Sequence, residues 1–547
     1  MTGLCIVILG QFVLLPLIFT RLVHDPYHTG EHVTAALTES LLQFEGLTVS
    51  SSSGSSSSES TLKNPRRVQR RKERLVQERS TADGTFNGAP IYLKKNQPFP
   101  FSNVHCVGEN YREDAWKHRS CRFTNLCFNM TSHDFVVFQS FRERLLSVYM
   151  AQRKHMHSST TLFRYGANNT QSVSIGGLNQ KWGADGMERL KWFPKVIPQQ
   201  QNDSEAARIS YYELPPEMVM VPFHSMNGAN PGHLVWDDFL PIYTLLDMFQ
   251  MSSYDDFDLL PLRYVLQDGE RGLWASCDLR EEKREDCNHM MNKFMSLLLG
   301  TDSPVKFSST KEFEFQPKDT SSPPVELICA KTGAAGLGPL TDHGLIKSHG
   351  WEETDYELTH NHGRGGQLYR FRNFMLNNIG IDPTKRSPGT TMTMADGTTR
   401  RKRRIVFSQK SSDIFIRSMD FERQLELVRS KFPDHDVENY ILKELTVEQQ
   451  MQIANDADIF VTLCGGGAVT AMFLPKGASV IVYYSEDSGV KNGIMNGKPA
   501  LLDWDLFNSM SHLRVHWLPR NTMKGTLDEK ALTLLIRHEI DIMDSSP

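Results

Sequence analysis

Apolar residues gather into short runs separated by amphipathic stretches, and toward the C-terminus the alternation becomes regular. Residues 405–407 read as a strand, while Phe421, Leu425, Val428 and Phe432, spaced four, three and four apart, share one face of a helix. A strand at 437–442 follows. Thr446-Val447-Glu448-Gln449 is a capping-box signature, in which hydroxyl and amide side chains satisfy each other's backbone N–H, and it opens a helix with Val447, Met451 and Ala454 on one face. A strand at 459–463 then leads into Cys464-Gly465-Gly466-Gly467, a short helix to Phe473, a stop at Pro475 and a strand at 479–484. The order β-α-β-α-β-α-β predicts a parallel sheet with right-handed crossovers. The preceding part holds looser versions of the same parts: a strand at 218–223, a helix from about 233 to 251, a strand at 259–266, a helix at 285–299 and a strand at 325–329. Two α/β units in tandem are predicted, joined by the Gly- and His-rich stretch 331–370, with a ligand in the cleft between them where strand C-termini converge.

A chain of 547 residues exceeds one small module, and 39% apolar with 10% aromatic residues suffices for real cores. The net charge of −4 excludes a general polyanion binder. Residues 63–79 nevertheless carry eight basic and two acidic side chains, so the basic character belongs to one segment. A nuclear-localisation or nucleic-acid role for that run requires a cytosolic or nuclear chain, and residues 3–19 argue against it. They form an uncharged apolar run, broken only by Gln11 and Pro16, long enough to span a hydrocarbon core. No A-x-A-like cleavage site follows, which favours a retained signal-anchor over a signal peptide at 1–24. No Lys or Arg precedes the run and Arg21 follows it, so the positive-inside rule does not support a cytoplasmic N-terminus; a luminal main chain is expected on the other features. The Ser-rich and then basic stretch at 25–100 reads as a disordered stem. The predicted units are 101–330 and 405–547, with connection and loops at 331–404.

Eight cysteines are too few for a disulfide scaffold. Cys5 lies in the apolar run; Cys106, Cys121 and Cys127 cluster, and Cys277 and Cys287 are close, which suits local disulfides in an oxidising lumen with at least one thiol left over. No C-x₂-C zinc spacing occurs. Sequons at Asn129, Asn168 and Asn202 suit a secretory chain.

The chemistry concentrates in two places. In the first, the turn at Gly465, Gly466, Gly467 and Ala468, with Thr470 behind it, joins a buried strand to a helix and leaves amides uncovered at the positive end of the helix dipole, where a diphosphate can bind. A tight turn with no ligand is the plainer reading. Glu486 near the end of the next strand suits ribose hydroxyls, but the third glycine of a dinucleotide fingerprint is missing and the turn follows a late strand, so a dinucleotide oxidoreductase ranks second. In the second, the loop 227–232 delivers His233, Asp237 and Asp238; His233 and Asp237 become i, i+4 neighbours if a helix starts at Gly232. That is a general-base pair or a contact that holds the loop. Pro241 is expected to kink or restart the helix. Arg372, Lys410 and Arg417 are candidates to neutralise a phosphate. The basic run 400–404 reads as a solvated loop end or, more sharply, as an anion-binding or protease-sensitive loop. Four D-x-D pairs, at 256–258, 434–436, 456–458 and 503–505, are cheap in an acid-rich chain and are discounted, the first three, where strands begin, reading as caps or solvated turns, and His343, His349, His360 and His362 read as loop histidines without metal-ligand spacing.

Three stretches, CRFTNLCFN (121–129), HLVWDDFLP (233–241) and GGGAVTAMFLPKGASVIVYY (465–484), together resemble family 61 glycosyltransferases. The resemblance implies a GT-B fold of two Rossmann-like domains facing a cleft, in a type II membrane protein of the Golgi or ER. It further implies a UDP-sugar (GlcNAc, xylose or arabinose) held mainly by the C-terminal domain and transferred with inversion to a glycan or glycoprotein acceptor. His233, Asp237 and Asp238 would then be catalytic. Gly465, Gly466, Gly467, Ala468, Thr470, Glu486, Lys410, Arg417 and Arg372 would hold the donor. Neither a metal nor a cofactor is expected, nor a nucleic-acid partner, and the membrane contact is the N-terminal anchor. The family turn usually reads His-Gly-Ala-Gly-Leu-Thr-Asn; Cys464 stands at its His, Gly466 at its Ala and Thr470 at its Asn. Val482 occupies the place of an acid, and Gln409 stands near an expected Arg. A catalytically silent nucleotide-sugar binder is the alternative these departures raise.

Overall fold

The computed structural model describes residues between 84 and 545, apart from segments of which the longest are 141–171, 177–189, 266–276, 314–325, 341–360 and 486–498. The expected anchor at 1–24 and most of the stem lie outside the described residues. Among the described residues no helix is long and apolar enough to cross a membrane.

The strands that build the main sheet of the first half are β1 (Gly84–Phe86), β2 (Ala89–Pro98), β3 (Asn103–Gly108), β4 (Arg119–Asn129), β5 (Asp134–Ser140), β6 (Lys195–Gln199), β7 (Arg208–Glu213), β8 (Met218–Phe223), β9 (Asp258–Arg263) and β10 (Leu327–Ala335). They form a ten-stranded sheet ordered β1-β2-β7-β10-β4-β5-β6, with β8 joining β10 to β9 and β3 lying against β4. Two expectations are corrected here. The stem does not extend to residue 100, because β2 pairs with β7, Leu93 facing Tyr212; one short apolar stretch beside a basic run carries no visible period until a partner strand takes up its backbone groups. Nor is this half a parallel Rossmann-like sheet. β4 runs antiparallel to β3, β5 and β10, while β8 is parallel to β9 and β10. Apolar alternation identifies strands but not their partners, and the tight β4–β5 turn, with His133 at φ 55°, enforces an antiparallel pair.

The second half follows the predicted order. Strands β11 (Arg404–Gln409), β12 (Asp436–Ile441), β13 (Ile459–Leu463), β14 (Ser479–Ser485) and β15 (Arg514–Arg520) form a five-stranded parallel sheet ordered β12-β11-β13-β14-β15. This is a doubly wound order whose switch point lies between β11 and β13. The described helices include α1 (Leu240–Met248), α2 (Glu281–Phe294), α3 (Gly365–Asn378), α4 (Glu422–Lys431), α5 (Val447–Asp456), α6 (Leu501–Ser509) and α7 (Leu527–Ser545). The capping box forms as expected: the Gln449 N–H donates to Thr446 Oγ1 at 3.2 Å and the Thr446 N–H to Gln449 Oε1 at 3.0 Å.

Strand alternation explains how the sheets join. Val406, Phe460, Val480 and Val482 share one continuous core with Val219, Val221 and Phe223 of β8, through a helical layer that includes Leu234–Leu246, Phe371 and Met451. The opposite face of the parallel sheet, with Ile405, Phe407, Val461 and Ile481, packs on Leu425 of α4 and Ile536 of α7. Cys277 pairs with Cys287 and Cys106 with Cys121, as the local clusters suggested, but Cys127 bonds Cys329 directly across β4 and β10. The basic run is no open anion site. Arg400 and Arg403 pair with Asp544 of α7, Arg401 approaches Asp458 at 3.5 Å, and Arg404 binds Glu438 at 2.8 Å.

Candidate active site

β8 is buried along its whole length and runs into His224 and Ser225, also buried. Asn230 then caps a helical turn, its side chain accepting the Gly232 N–H at 3.0 Å, with Pro231 in the first turn where no N–H is needed. From Leu234 to Phe239 the helix widens into a π-turn, closed by the Leu240 N–H on Val235 O. Pro241 explains the widening: it has no N–H, and its ring would strike the preceding turn of a regular helix. The predicted kink thus takes this form. Trp236 is fully buried and meets Phe507 of α6 edge-on, their centroids 5.4 Å apart. Burying such a ring stabilises the seam between the two halves by about 2–3 kcal/mol.

On this turn His233 Nδ1 lies 2.5 Å from Asp237 Oδ2, with His233 19% exposed and Asp237 4%. Asp237 holds the imidazole through Nδ1. Asp238 faces elsewhere and accepts the Ser225 hydroxyl at 2.5 Å. Burial, reinforced by the Asp237 charge, holds the Asp238 carboxyl well above the usual carboxylate range, although Ser225 and Arg263 pull it down. Behind it, His224 is pushed down by burial and hydrogen-bonds Tyr264 O at 3.1 Å, beside the buried Arg263–Asp278 ion pair.

The glycine turn meets this helix backbone to backbone. A Cβ on Gly232 would lie 2.9 Å from Gly466 Cα, and a Cβ on Gly466 would lie 1.8 Å from Asn230 Oδ1. At Gly232 the clash is with backbone, so only glycine fits, whereas a side chain at Gly466 would have to displace Asn230; the contact sets His233 and Gly467 each one residue from it. Gly465, at φ 111°, adopts a conformation that L side chains avoid. The amides of Gly466 and Gly467 head a 3-10 turn running to Phe473, where no intrahelical acceptor exists. The bare face of Gly466 is filled by Asn230, so that glycine serves packing. Ala468 and Thr470 are buried behind the turn.

Sequence reasoning passed over one residue. Asp503, discounted as part of a D-x-D pair, is buried on α6 and accepts both the Gly465 N–H and the Cys464 S–H, the latter at 3.0 Å; the Ala500 N–H donates to Cys464 Sγ at 3.1 Å. No spacing rule reveals this, since Cys464 and Asp503 stand on different elements. Its neighbour Asp505 accepts Asn361 Nδ2 at 2.7 Å. Asp456 and Asp458 receive Ser387, Arg404 and Arg386, as capping residues do.

Arg372 is corrected. It lies wholly inside the protein, donating to Phe473 O at 3.1 Å and to Asn455 Oδ1 at 2.5 Å, so it braces the end of the glycine helix instead of facing a phosphate. Burial brings its guanidinium down to about 10. Val482 is buried in β14, and Gln409 accepts from Asn439 at 3.1 Å. Glu486, Lys410 and Arg417 lie outside the described residues, as do His343, His349 and His360. Among the described residues no three His, Cys, Asp or Glu converge on a common point.

Residues 350–481 match the family model described as Glycosyltransferase 61, a span that runs through α3 and the parallel strands β11 to β13 and includes the glycine turn. This part of the chain is similar to that glycosyltransferase family. The His233 turn lies before the matched span. Over 411 residues the chain is 21% identical to protein O-linked-mannose beta-1,4-N-acetylglucosaminyltransferase 2 of Danio rerio, covering 75% of this chain and 56% of that protein. The Xenopus laevis protein of the same name is 20% identical over 66% of this chain and 49% of its own length. The chain thus spans about half the length of the curated relatives it matches. Among solved structures, E. coli heptosyltransferase WaaC with ADP is similar at 10% identity and a TM-score of 0.23, over 59% of this chain and 99% of that one.

Proposed function

We propose that the chain is an inverting glycosyltransferase of GT-B type, moving a sugar from a UDP-sugar to a hydroxyl of a glycan or glycoprotein in the ER or Golgi lumen, where its N-terminal run anchors it. The observation that carries this reading is the Gly232–Gly466 contact, which brings a His–Asp pair beside a glycine turn in the family-matched span. GlcNAc is the favoured donor sugar, since the named relatives are N-acetylglucosaminyltransferases; xylose and arabinose are the other candidates.

The mechanism needs one displacement. His233 Nε2 takes the acceptor proton while Asp237 stabilises the imidazolium that forms. The freed alkoxide attacks the anomeric carbon from the face opposite the diphosphate. The Gly467 amide and a cation, for which Lys410 and Arg417 are proposed, stabilise the departing UDP, so no metal is required. Asp238 fixes Ser225 at the base of the loop. A thermal-shift screen of the purified chain against UDP-GlcNAc, UDP-xylose, UDP-arabinose and NADH, followed by a transfer assay in EDTA, tests the reading. Selective UDP-sugar binding with chelator-resistant transfer is expected; loss of transfer in EDTA overturns the mechanism, and binding of NADH alone overturns the class. A silent nucleotide-sugar binder is the second reading, favoured by Asp503 already holding the Gly465 amide; binding without transfer would select it.

A further inference from the structure

We propose that Asn129 is a site of N-linked glycosylation. The inference rests on the luminal placement proposed above and otherwise goes beyond it. Asn129-Met130-Thr131 is a sequon, and the fold sets it at the tip of the β4–β5 hairpin, with Asn129 as the last residue of β4 and Thr131 and Ser132 exposed in the turn. The Asn129 side chain is already held in a turn-like loop: its Oδ1 accepts the Thr131 and Ser132 amides, both at 2.9 Å. The carboxamide nitrogen lies at the other end of the group, and among the described residues it has no acceptor. Cys127, two positions earlier, forms a disulfide with Cys329, and two further disulfides accompany it. Bonds of this kind form in the compartment where oligosaccharide transfer to asparagine takes place.

Topology makes the position permissive as well. Asn129 faces Leu327 at the start of β10, whereas Cys121 faces Ala335 at its end. Beyond that end, the Gly338 N–H donates to Pro241 O on the helix that carries His233 and Asp237. At about 3.3 Å per residue the sheet separates Asn129 from the catalytic helix by roughly 25 Å, so a branched glycan there does not obstruct the acceptor. The donor is an oligosaccharide carried on a lipid pyrophosphate. Asn129 Nδ2 bonds to the anomeric carbon as the bond from that carbon to the pyrophosphate oxygen breaks; the amide proton passes to a base of the transferring enzyme, and the lipid pyrophosphate leaves. No oxidant or reductant is involved.

The test is the full-length chain expressed in a eukaryotic secretory host, treated with peptide-N-glycosidase in ¹⁸O water and mapped by mass spectrometry. Isotope-labelled conversion to Asp at position 129 is expected. Asn129→Gln and Thr131→Ala should each lose it, Thr131→Ser should keep it, and transfer activity should be unchanged in Thr131→Ala. An unlabelled Asn129 peptide from a chain whose Cys127–Cys329 disulfide is intact overturns the inference and leaves the luminal reading standing. An unlabelled peptide from a chain with reduced cysteines overturns both.

Discussion

Gly466 and Asn230 share a space that holds only one side chain, so the cost of crowding them can be measured directly. Gly466→Ala places a methyl 1.8 Å from Asn230 Oδ1, and we expect a loss of about 2 kcal/mol or more in thermal unfolding together with loss of transfer. Asn230→Gly on that background should restore part of the stability although it removes the cap, because the clash disappears; strict additivity of the two changes would refute the shared-space account. His233→Ala should lower turnover by about 10²- to 10⁴-fold while the donor KM stays near its original value. The two acids beside His233 separate by partner. Asp238→Asn should retain most transfer, because that carboxyl, raised by burial, turns away from His233 to Ser225, whereas Asp237→Asn, which alters the contact to the imidazole, should not. At this scale the His–Asp pair was legible from its i, i+4 spacing. The Cys464–Asp503 contact was not, since nothing in the order of residues links positions that only folding brings together.

At the level of elements, Arg372 and Glu539 show what holds the parallel sheet. Arg372→Met should cost roughly 2–4 kcal/mol, because Phe473 O and Asn455 Oδ1 lose a buried donor, while donor affinity in the folded fraction should be unaltered. A changed affinity there would revive the phosphate role. Glu539 ties α7 to β14 and β15. Burial alone would raise its carboxyl, but bonds from His516, Ser479 and Arg514 outweigh burial and bring it down to about 2 from an ordinary 4.5. A lowered carboxylate stabilises the fold fully above its unfolded value and less as pH falls from 4.5 toward 2. Glu539→Gln should therefore flatten the acid side of the melting-temperature profile in that window and lower stability above it. The capping box and the β-α order around these elements could be read from periodicity alone. The π-turn could not: Pro241 announced a break, but the sequence did not say that the helix would widen over Leu234–Phe239 rather than kink or restart.

For the whole molecule, the Cys127–Cys329 bond closes 202 residues, the longest of the three loops. Loop-closure entropy assigns such a bond about 5 kcal/mol, so Cys329→Ser should lower the unfolding midpoint in denaturant far more than Cys287→Ser, whose loop spans 10 residues. Local clustering suggested the two shorter bonds and was silent on this one. Composition, strand and helix periodicity, the capping box and the glycine turn determined by themselves an α/β chain whose second half is a parallel sheet, because these signals act over a few neighbouring residues. The mixed pairing of the first sheet, the bracing role of Arg372, the Asp503 clamp and the meeting of Gly232 with Gly466 were decided only by tertiary structure. Each depends on which distant surfaces exclude water together, and a one-dimensional pattern of apolar and polar positions does not encode that choice in any single stretch.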